Sequence, residues 1–344
     1  MTSITQTQAI NNSVFASAFG DAWGYRQEFR SFNEIATIKP PFPEGVAYIT
    51  DDTQMGIAAM TGVLNSWKQV KLLESDPSNG KAANLVRLAI AEEFLKWFVD
   101  PRNNRAPGST CMTALGFLKR VKHIKTGREE TNVDSKGCGA NMRNPLFGLL
   151  PLSEETIIRL SLLQCEITHS HPLALSSAVL TALMTRAVFN GEVNIGQGDG
   201  SLFAYALRKT RELKNLPNPT DTYLYPKGLE MMEEFLEAHA ADMQVFLGAD
   251  SSTDPCYILN SEGWVAEEAF LVALAITDLH GEDAIEVLRR TITTNGDSDS
   301  MAAISGAFVG AGHIEPVFPE DWYSRLEPEY YDDLKHISSI INSK

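Results

Sequence analysis

The sequence is poor in most of the signals that announce a simple function. Its 344 residues hold only four cysteines, Cys111, Cys138, Cys165 and Cys256, widely spaced, with no C-x-x-C pair and no clustering with histidine. That pattern excludes a zinc knuckle and a disulfide scaffold and fits a reducing compartment. Positive charge is also scarce: 29 Lys and Arg stand against 44 Asp and Glu, a net charge of −15. Sequence-independent capture of nucleic acid or of an anionic membrane is not expected of such a chain. No uninterrupted apolar run of about eighteen residues is apparent, and the opening MTSITQTQAINNS has no basic segment leading into an apolar one. Neither a membrane span nor an export signal is therefore expected, and the reading is a soluble, cytoplasmic protein. Period-two alternation is rare, there is no fixed-period repeat, and the one biased segment is a polar tail over residues 1–10.

What is present is apolar periodicity at helical spacing. It predicts helices near 11–19, 52–67, 81–99, 109–120, 153–168, 172–189, 226–240, 263–278, 281–290, 299–311 and 331–342. The Pro-rich stretches KPPFPEG, VDPRNNRAPG and NLPNPTDT are no longer than ordinary loops, so residues 11–344 read as one all-α domain.

Oxygen-bearing residues concentrate at two predicted helix starts. In NGDSDSMAAISGAFVGAG, Asp297, Asp299 and Ser300 precede a run of small apolar residues, and in YITDDTQMGIAAM, Thr50, Asp51, Asp52 and Thr53 do the same. Each cluster taken singly reads as a helix N-cap, with Asp51 and Gln54 spaced for a capping box. One cap needs one such residue. Four aspartates sharing a site would repel one another unless a cation or protons neutralised them, and hard oxygen donors suit Mg²⁺ or Mn²⁺ rather than Zn²⁺. Two ions about 3.5–4 Å apart, bridged by a carboxylate, would use all six ligands, Thr50, Asp51, Asp52, Asp297, Asp299 and Ser300.

The same residues carry a family resemblance. The T-D-D-T and G-D-x-D-S segments resemble the ADP-ribosylglycohydrolase family, which includes dinitrogenase reductase-activating glycohydrolase and the ADP-ribosyl-acceptor hydrolases. Three further blocks follow in that family's order: GDAWGYRQEF from Gly20, SKGCGANMRNPLFGL from Ser135, and GWVAEEAF from Gly263. The resemblance implies an all-α orthogonal helix bundle with a binuclear Mg²⁺ site, sometimes Mn²⁺, held by the six residues above. It implies hydrolysis of an ADP-ribosyl bond at the anomeric carbon, with Glu28 near the reacting sugar and Asp51, Asp52 and Asp299 serving both metal and proton chemistry. It also implies a substrate wall from Ser135, Gly137, Cys138, Gly139, Ala140, Met142 and Arg143, with His169 of THSHP lining the ribose.

On the residues alone, the glycines of that wall suit a backbone diphosphate cradle, and Arg143 could pair with phosphate or tie the loop to a carboxylate. Cys138, without a histidine partner, reads as packing rather than as a nucleophile, and His171 before Pro172 as structural. Among the aromatics Trp23, Phe147 and Trp264, core positions are expected, with Trp23 the one noted for a site. Gly306 and Gly310 read as a close-packing face. The expected partner is an ADP-ribosylated protein, with arginine linkage first, serine-linked or O-acetyl ADP-ribose as alternatives, and a non-catalytic ADP-ribose binder or a phosphohydrolase as competing classes. Acceptor choice is assigned to loops 121–133 and 248–262.

Overall fold

Helical periodicity becomes helix nearly everywhere. The computed structural model describes residues 4–121, 124–127, 133–193, 195–196, 200–218, 223–249 and 252–344. Its first half runs α1 (Ile4–Gly24), α2 (Phe32–Ile38), α3 (Asp51–Asn65), α4 (Trp67–Ser75), α5 (Gly80–Val99), α6 (Ser109–Leu118) and α7 (Glu154–Cys165). Next come α8 (Pro172–Phe189), α9 (Leu202–Lys214), α10 (Leu224–Ala238), α11 (Ala240–Leu247) and α12 (Pro255–Ile258). The last stretch is α13 (Ala266–His280), α14 (Ala284–Ile292), α15 (Ser298–Gly312), α16 (Glu320–Arg325) and α17 (Pro328–Ser343). No strand is present among the described residues; two isolated bridges, Ala47 with Leu326 and Gly137 with Val265, are the only extended pairings among them.

Residues 4–10, expected as a polar tail, are instead the first turns of α1. Ala9 and Ile10 are buried, and the Asn12 amide donates to the carbonyls of His313 and Glu315, so this helix is anchored from its beginning. The single helix expected over 52–67 stops earlier: α3 ends at Asn65, Ser66 stands between the helices with its hydroxyl on the carbonyls of Gly62 and Val63, and α4 starts at Trp67. Short helices α2, α11, α12 and α16 carry too few turns to show a period, and amphipathic α9 lies where the sequence reading expects no helix.

Small residues let α1 lie along α15. A Cβ at Gly306 would sit 2.4 Å from the Ala16 carbonyl oxygen, and one at Gly310 would sit 2.6 Å from the Asn12 carbonyl, so both positions require glycine for this approach. Across the same interface the Ser13 hydroxyl donates to the Ala307 carbonyl at 2.8 Å.

Helix α8 qualifies a statement made from sequence. Its 18 residues have a mean hydropathy of 1.5, long and apolar enough by length and composition to cross a membrane, yet 89% of them are buried by neighbouring helices. Serines and threonines along it bond backward to its own carbonyls, as Ser176 and Thr181 do, which lets a polar-dotted helix occupy the centre.

Candidate active site

The two acidic helix starts meet. Thr50 caps α3, accepting the Asp52 amide, and Asp297 caps α15, accepting the Ser300 amide. Asp51 and Gln54 form no capping box: Gln54 instead donates its amide to the Tyr330 hydroxyl and accepts from the Trp97 indole, two buried polar groups that the core must satisfy. The end of α1 is tied to α15 by a hydrogen bond from the Ser298 hydroxyl to the Gly24 carbonyl at 3.1 Å. That contact brings the turn carrying Glu28 over the aspartates.

A seventh oxygen residue joins the six expected ones. Asp21, on α1, is fully buried and accepts from the Thr50 amide at 3.0 Å, the Thr50 hydroxyl at 2.8 Å and the Thr53 amide at 3.0 Å. The Thr50 hydroxyl also lies 2.9 Å from Asp52 Oδ2, so one proton serves two carboxylates. Ligand atoms of Asp21, Asp52 and Asp299 fall within 4.8 Å of one another, as do those of Glu28, Asp297 and Asp299. Asp21 lies in the GDAWGYRQEF block, where no role is expected for it from the sequence. The available signal was an aspartate inside the otherwise small and apolar stretch ASAFGDAWG.

The electrostatics are those of uncompensated acids. Burial pushes Asp21 up to about 6 against the hydrogen bonds it accepts, and Asp51 up to about 7 although the Gly108 amide donates to it. Burial, then the neighbouring aspartates, raise Asp52 and Asp299 well above the carboxylate range, and burial also raises Asp297. Glu28, half-buried, rises to about 8 through desolvation and then through Asp297, Asp51 and Asp21. Asp52 Oδ1 is buried and has no hydrogen-bond partner. No lysine or arginine is among the described residues that line the cavity above this cluster.

That cavity, of about 280 Å³, is lined by Glu28, Asp51, Asp52, Asp297, Asp299 and Ser300 together with Gly137, Cys138, Gly139, Met142 and His169. His169 is buried, its Nδ1 paired with the Thr168 hydroxyl at 2.8 Å and its Nε2 without a partner. Desolvation, then Arg143, hold its imidazole neutral by lowering it to about 3. His171 caps α8 through the Leu173 amide.

Three members of the expected substrate wall lie behind it. Arg143 is 1% exposed and spends its guanidinium on Gln164 Oε1 at 2.5 Å, the Gln164 carbonyl at 3.1 Å and the Thr168 hydroxyl at 2.7 Å, with Phe94 beneath it. It meets neither a phosphate seat nor a carboxylate; a buried cation is saturated here by neutral acceptors and an aromatic face. Ala140 is fully buried, and the Ser135 hydroxyl accepts from Thr110 and from the Gly137 amide. The Cys138 amide is likewise engaged by the Trp264 carbonyl, so the glycine loop offers fewer free N–H groups than a phosphate nest would. Helix α6, by contrast, begins without a side-chain cap, and its first residues Ser109 and Thr110 line the cavity.

The aromatic at the mouth is Trp264 rather than Trp23. Trp23 and Phe147 are core, Trp23 packed edge-on against Phe42 and Trp322. Trp264 stacks on Phe29 with centroids 5.7 Å apart and an interplanar angle of 19°, and Phe29, at a left-handed φ of 68°, is 72% exposed. On the far side of Trp264 lies a second cavity of about 560 Å³ lined by Tyr257, Asn260, Ser261, Glu262 and Glu268. It receives the end of the 248–262 loop; residues 250–251, and 122–123 and 128–132 of the other expected acceptor loop, lie outside the described residues.

Comparison with known proteins bears on this geometry directly. Residues 2–343 match the model of the family described as ADP-ribosylglycohydrolase. The chain belongs to that family. ADP-ribosylhydrolase ARH1 of Dictyostelium discoideum is 22% identical over 94% of this chain and 93% of its own length. An uncharacterized protein of Archaeoglobus fulgidus is 23% identical over 95% and 94%. A solved structure titled ADP-ribosylglycohydrolase-related protein complex superposes with a TM-score of 0.56 at 17% identity, covering 98% of this chain and 97% of the other, so the fold is shared. This ADP-ribosylglycohydrolase is thus a hydrolase of all-α architecture. Its acidic cluster is compatible with a metal site: an all-oxygen donor set, an orphaned buried carboxylate oxygen and no facing lysine or arginine are what a hard divalent cation would complete.

Proposed function

We propose that this ADP-ribosylglycohydrolase removes ADP-ribose from a modified protein, with ADP-ribosyl-arginine the first acceptor linkage, and that it works with two Mg²⁺ ions, Mn²⁺ being the substitute. The observation that carries the reading is the convergence of Asp51, Asp52, Asp297, Asp299 and Ser300 on one cavity, with Thr50 and Asp21 packed behind them and no lysine or arginine among the described residues of its lining. Thr50, Asp51, Asp52, Asp297, Asp299 and Ser300 would hold the ions, with Asp21 fixing Thr50 from behind. Divalent ions at that position would supply Lewis acidity toward the ribose oxygens and toward water.

The protein's own groups account for the remaining requirements. Cleavage at the anomeric carbon through an oxocarbenium-like state needs a proton removed from the attacking water and one delivered to the departing acceptor atom. Glu28 overhangs the aspartates from a turn that leaves its carboxyl half-buried, and it is the group proposed to carry the proton at its Oε atoms. His169, neutral and with Nε2 facing no protein partner, is proposed to hydrogen-bond a ribose hydroxyl rather than to titrate. The uncapped start of α6 is proposed to seat the diphosphate, since its first-turn N–H groups and dipole favour an anion without any basic side chain. Trp264 and Phe29 form the rim between this cavity and the one beyond, where Glu262 and Glu268 would face a basic acceptor segment. Cytoplasmic residence is part of the same proposal.

The deciding experiment is release of labelled ADP-ribose from arginine-linked and serine-linked substrates, in Mg²⁺ and in EDTA. Free ADP-ribose with unmodified acceptor, dependent on the cation, supports the proposal. AMP or inorganic phosphate as product would replace it with a phosphohydrolase, and saturable binding without turnover with a binder.

A further inference from the structure

The chain that delivers Thr50, Asp51 and Asp52 to the centre is held by an ion pair drawn from two distant segments. Residues 47–49 lead directly into α3 and pair with the chain ahead of α17: the Ala47 amide donates to the Arg325 carbonyl at 2.8 Å, and Ala47 bridges Leu326 in parallel register. Two residues on, side chains take both polar groups of the Ile49 backbone. Its amide donates to Glu327 Oε2 at 3.3 Å, and its carbonyl accepts from Arg105 Nη1. Arg105 and Glu327 in turn meet fork to fork, Nη1 on Oε2 and Nη2 on Oε1, each at 2.6 Å. Glu327 stands at the N-cap of α17 without capping that helix, so its carboxylate is committed to Ile49 and Arg105. The Ile49–Thr50 peptide is thereby gripped on both edges, by Arg105 at its carbonyl and by Asp21 at its amide.

Arg105 also opens a loop that walls the cavity. Ala106, Pro107 and Gly108 line it, and the Gly108 amide donates to Asp51 Oδ2 at 3.0 Å. One guanidinium thus ties together the entry to α3, the wall 106–108 and the start of α17. Neither Arg105 nor Glu327 is among the described residues that line the cavity, and their side chains are only 13% and 10% exposed. An ion pair this enclosed adds little stability over well-packed apolar residues, because desolvation offsets the attraction. Its hydrogen bonds to the backbone just ahead of the acids set a direction instead. We propose that Arg105 and Glu327 are positioning residues of the centre: they fix the peptide plane ahead of Thr50 and, through the loop to Gly108, the carboxylate of Asp51. They thereby set the affinity for a hard divalent cation without touching ion or substrate. The inference rests on the reading of the aspartates as metal ligands. Groups that orient ligands from behind set metal affinity by roughly 10- to 100-fold.

The test uses the full chain, with Arg105→Met/Glu327→Leu as a paired variant, Arg105→Lys as the conservative one and Asp278→Ala as the control. Asp278, at the end of α13 away from Trp264, accepts the Leu202 and Phe203 amides at 2.7 and 2.9 Å, so its loss lowers stability at a distance from the centre. Melting in EDTA reads stability, and the dependence of melting on Mg²⁺ concentration reads affinity. The paired variant should melt in EDTA close to wild type, yet bind Mg²⁺ on the order of 10-fold more weakly or worse. The Mg²⁺ concentration for half-maximal release of labelled ADP-ribose should rise in step. Arg105→Lys keeps the charge but cannot span the Ile49 carbonyl and both carboxylate oxygens, so it should lose Mg²⁺ affinity as well. Asp278→Ala should melt lower and keep the wild-type Mg²⁺ affinity. Wild-type Mg²⁺ affinity in Arg105→Lys or in the paired variant, or an equal loss in Asp278→Ala, overturns this inference alone. If neither Mg²⁺ nor Mn²⁺ shifts the melting of wild type, the metal reading of the aspartates falls and this inference with it.

Discussion

Removing divalent cation should make this protein less stable as the solution becomes more alkaline, and restoring it should abolish that slope. The reasoning starts from the buried acids. Asp51 is pushed up to about 7 and Glu28 to about 8, while Asp52 and Asp299 are held well above the carboxylate range. In the unfolded chain all of these are ionised above about pH 5. Between pH 6.5 and 8 the ion-free folded state therefore binds more protons than the unfolded state, and unfolding free energy must fall as pH rises. Each proton retained across that interval contributes about 2 kcal/mol of loss, and the mutual repulsion of the cluster makes the protons leave as a coupled set. The interval avoids two opposing effects. His169, lowered to about 3, adds stability with rising pH only up to its ordinary value near 6.5, and the lowered carboxyls Glu74, Asp100, Glu192 and Glu233 act only below about 4.5. Mg²⁺ replaces the protons, so the loaded protein should hold its midpoint, and the increment from Mg²⁺ should grow with pH to about 2.7 kcal/mol when the ion is at ~100 times its Kd. Chemical denaturation at pH 6.5 and 8, each in EDTA and in Mg²⁺, measures all four quantities. An ion-free midpoint that stays constant or rises over this interval, or an equal Mg²⁺ increment at both pH values, would refute the reasoning.

Other outcomes follow from the same geometry. Asp52→Asn and Asp299→Asn should each lower kcat/KM for ADP-ribose release by on the order of 100-fold or more, yet raise the melting temperature in EDTA at pH 8, because a buried carboxyl that must there hold a proton against solution or ionise among other acids is gone; an EDTA melting point below wild type at that pH would count against the electrostatic picture. Arg143→Met should cost about 3 kcal/mol or more by orphaning the acceptors on Gln164 and Thr168, visible in a denaturant titration, and a wild-type midpoint would return Arg143 to the candidate substrate contacts. Trp264→Ala should raise KM with kcat little changed, since the ring stands at the rim and touches no acid of the cluster; a fall in kcat alone would assign it to the chemistry. Gly306→Leu should prevent folding of α1 against α15, measured as loss of cooperative melting, since even a Cβ meets the Ala16 carbonyl there.

The legible part of the site was the part written as local surplus. Asp51 with Asp52, and Asp297 with Asp299, stand beside helix starts in excess of what capping needs, and that excess is visible without coordinates. Asp21 is not, because inside α1 an aspartate looks the same whether it faces water or, as here, the Thr50 amide. Arg143 was misplaced for a related reason: a guanidinium in a glycine-containing loop fits a phosphate by type, and only packing reveals that Gln164, Thr168 and Phe94 have already used it. Trp23 and Trp264 were indistinguishable by composition; the first sits in a cluster built by Phe42 and Trp322, residues far apart in the chain. Long helices such as α5 and α8 show their period, whereas the break at Ser66 interrupts a stretch whose apolar spacing continues across it.

The carboxylates of this centre are contributed from positions 21, 51–52 and 297–299, and α1 is fastened to the start of α15 at a sequence separation of 274. A polypeptide still emerging during synthesis therefore holds only half a centre until residues 297–300 have been made. Before that point the acids of α1 and α3 have no α15 partners with which to retain an ion. The assembled site and the electrostatic strain that accompanies it are thus acquired together, when α15 joins α1 and α3.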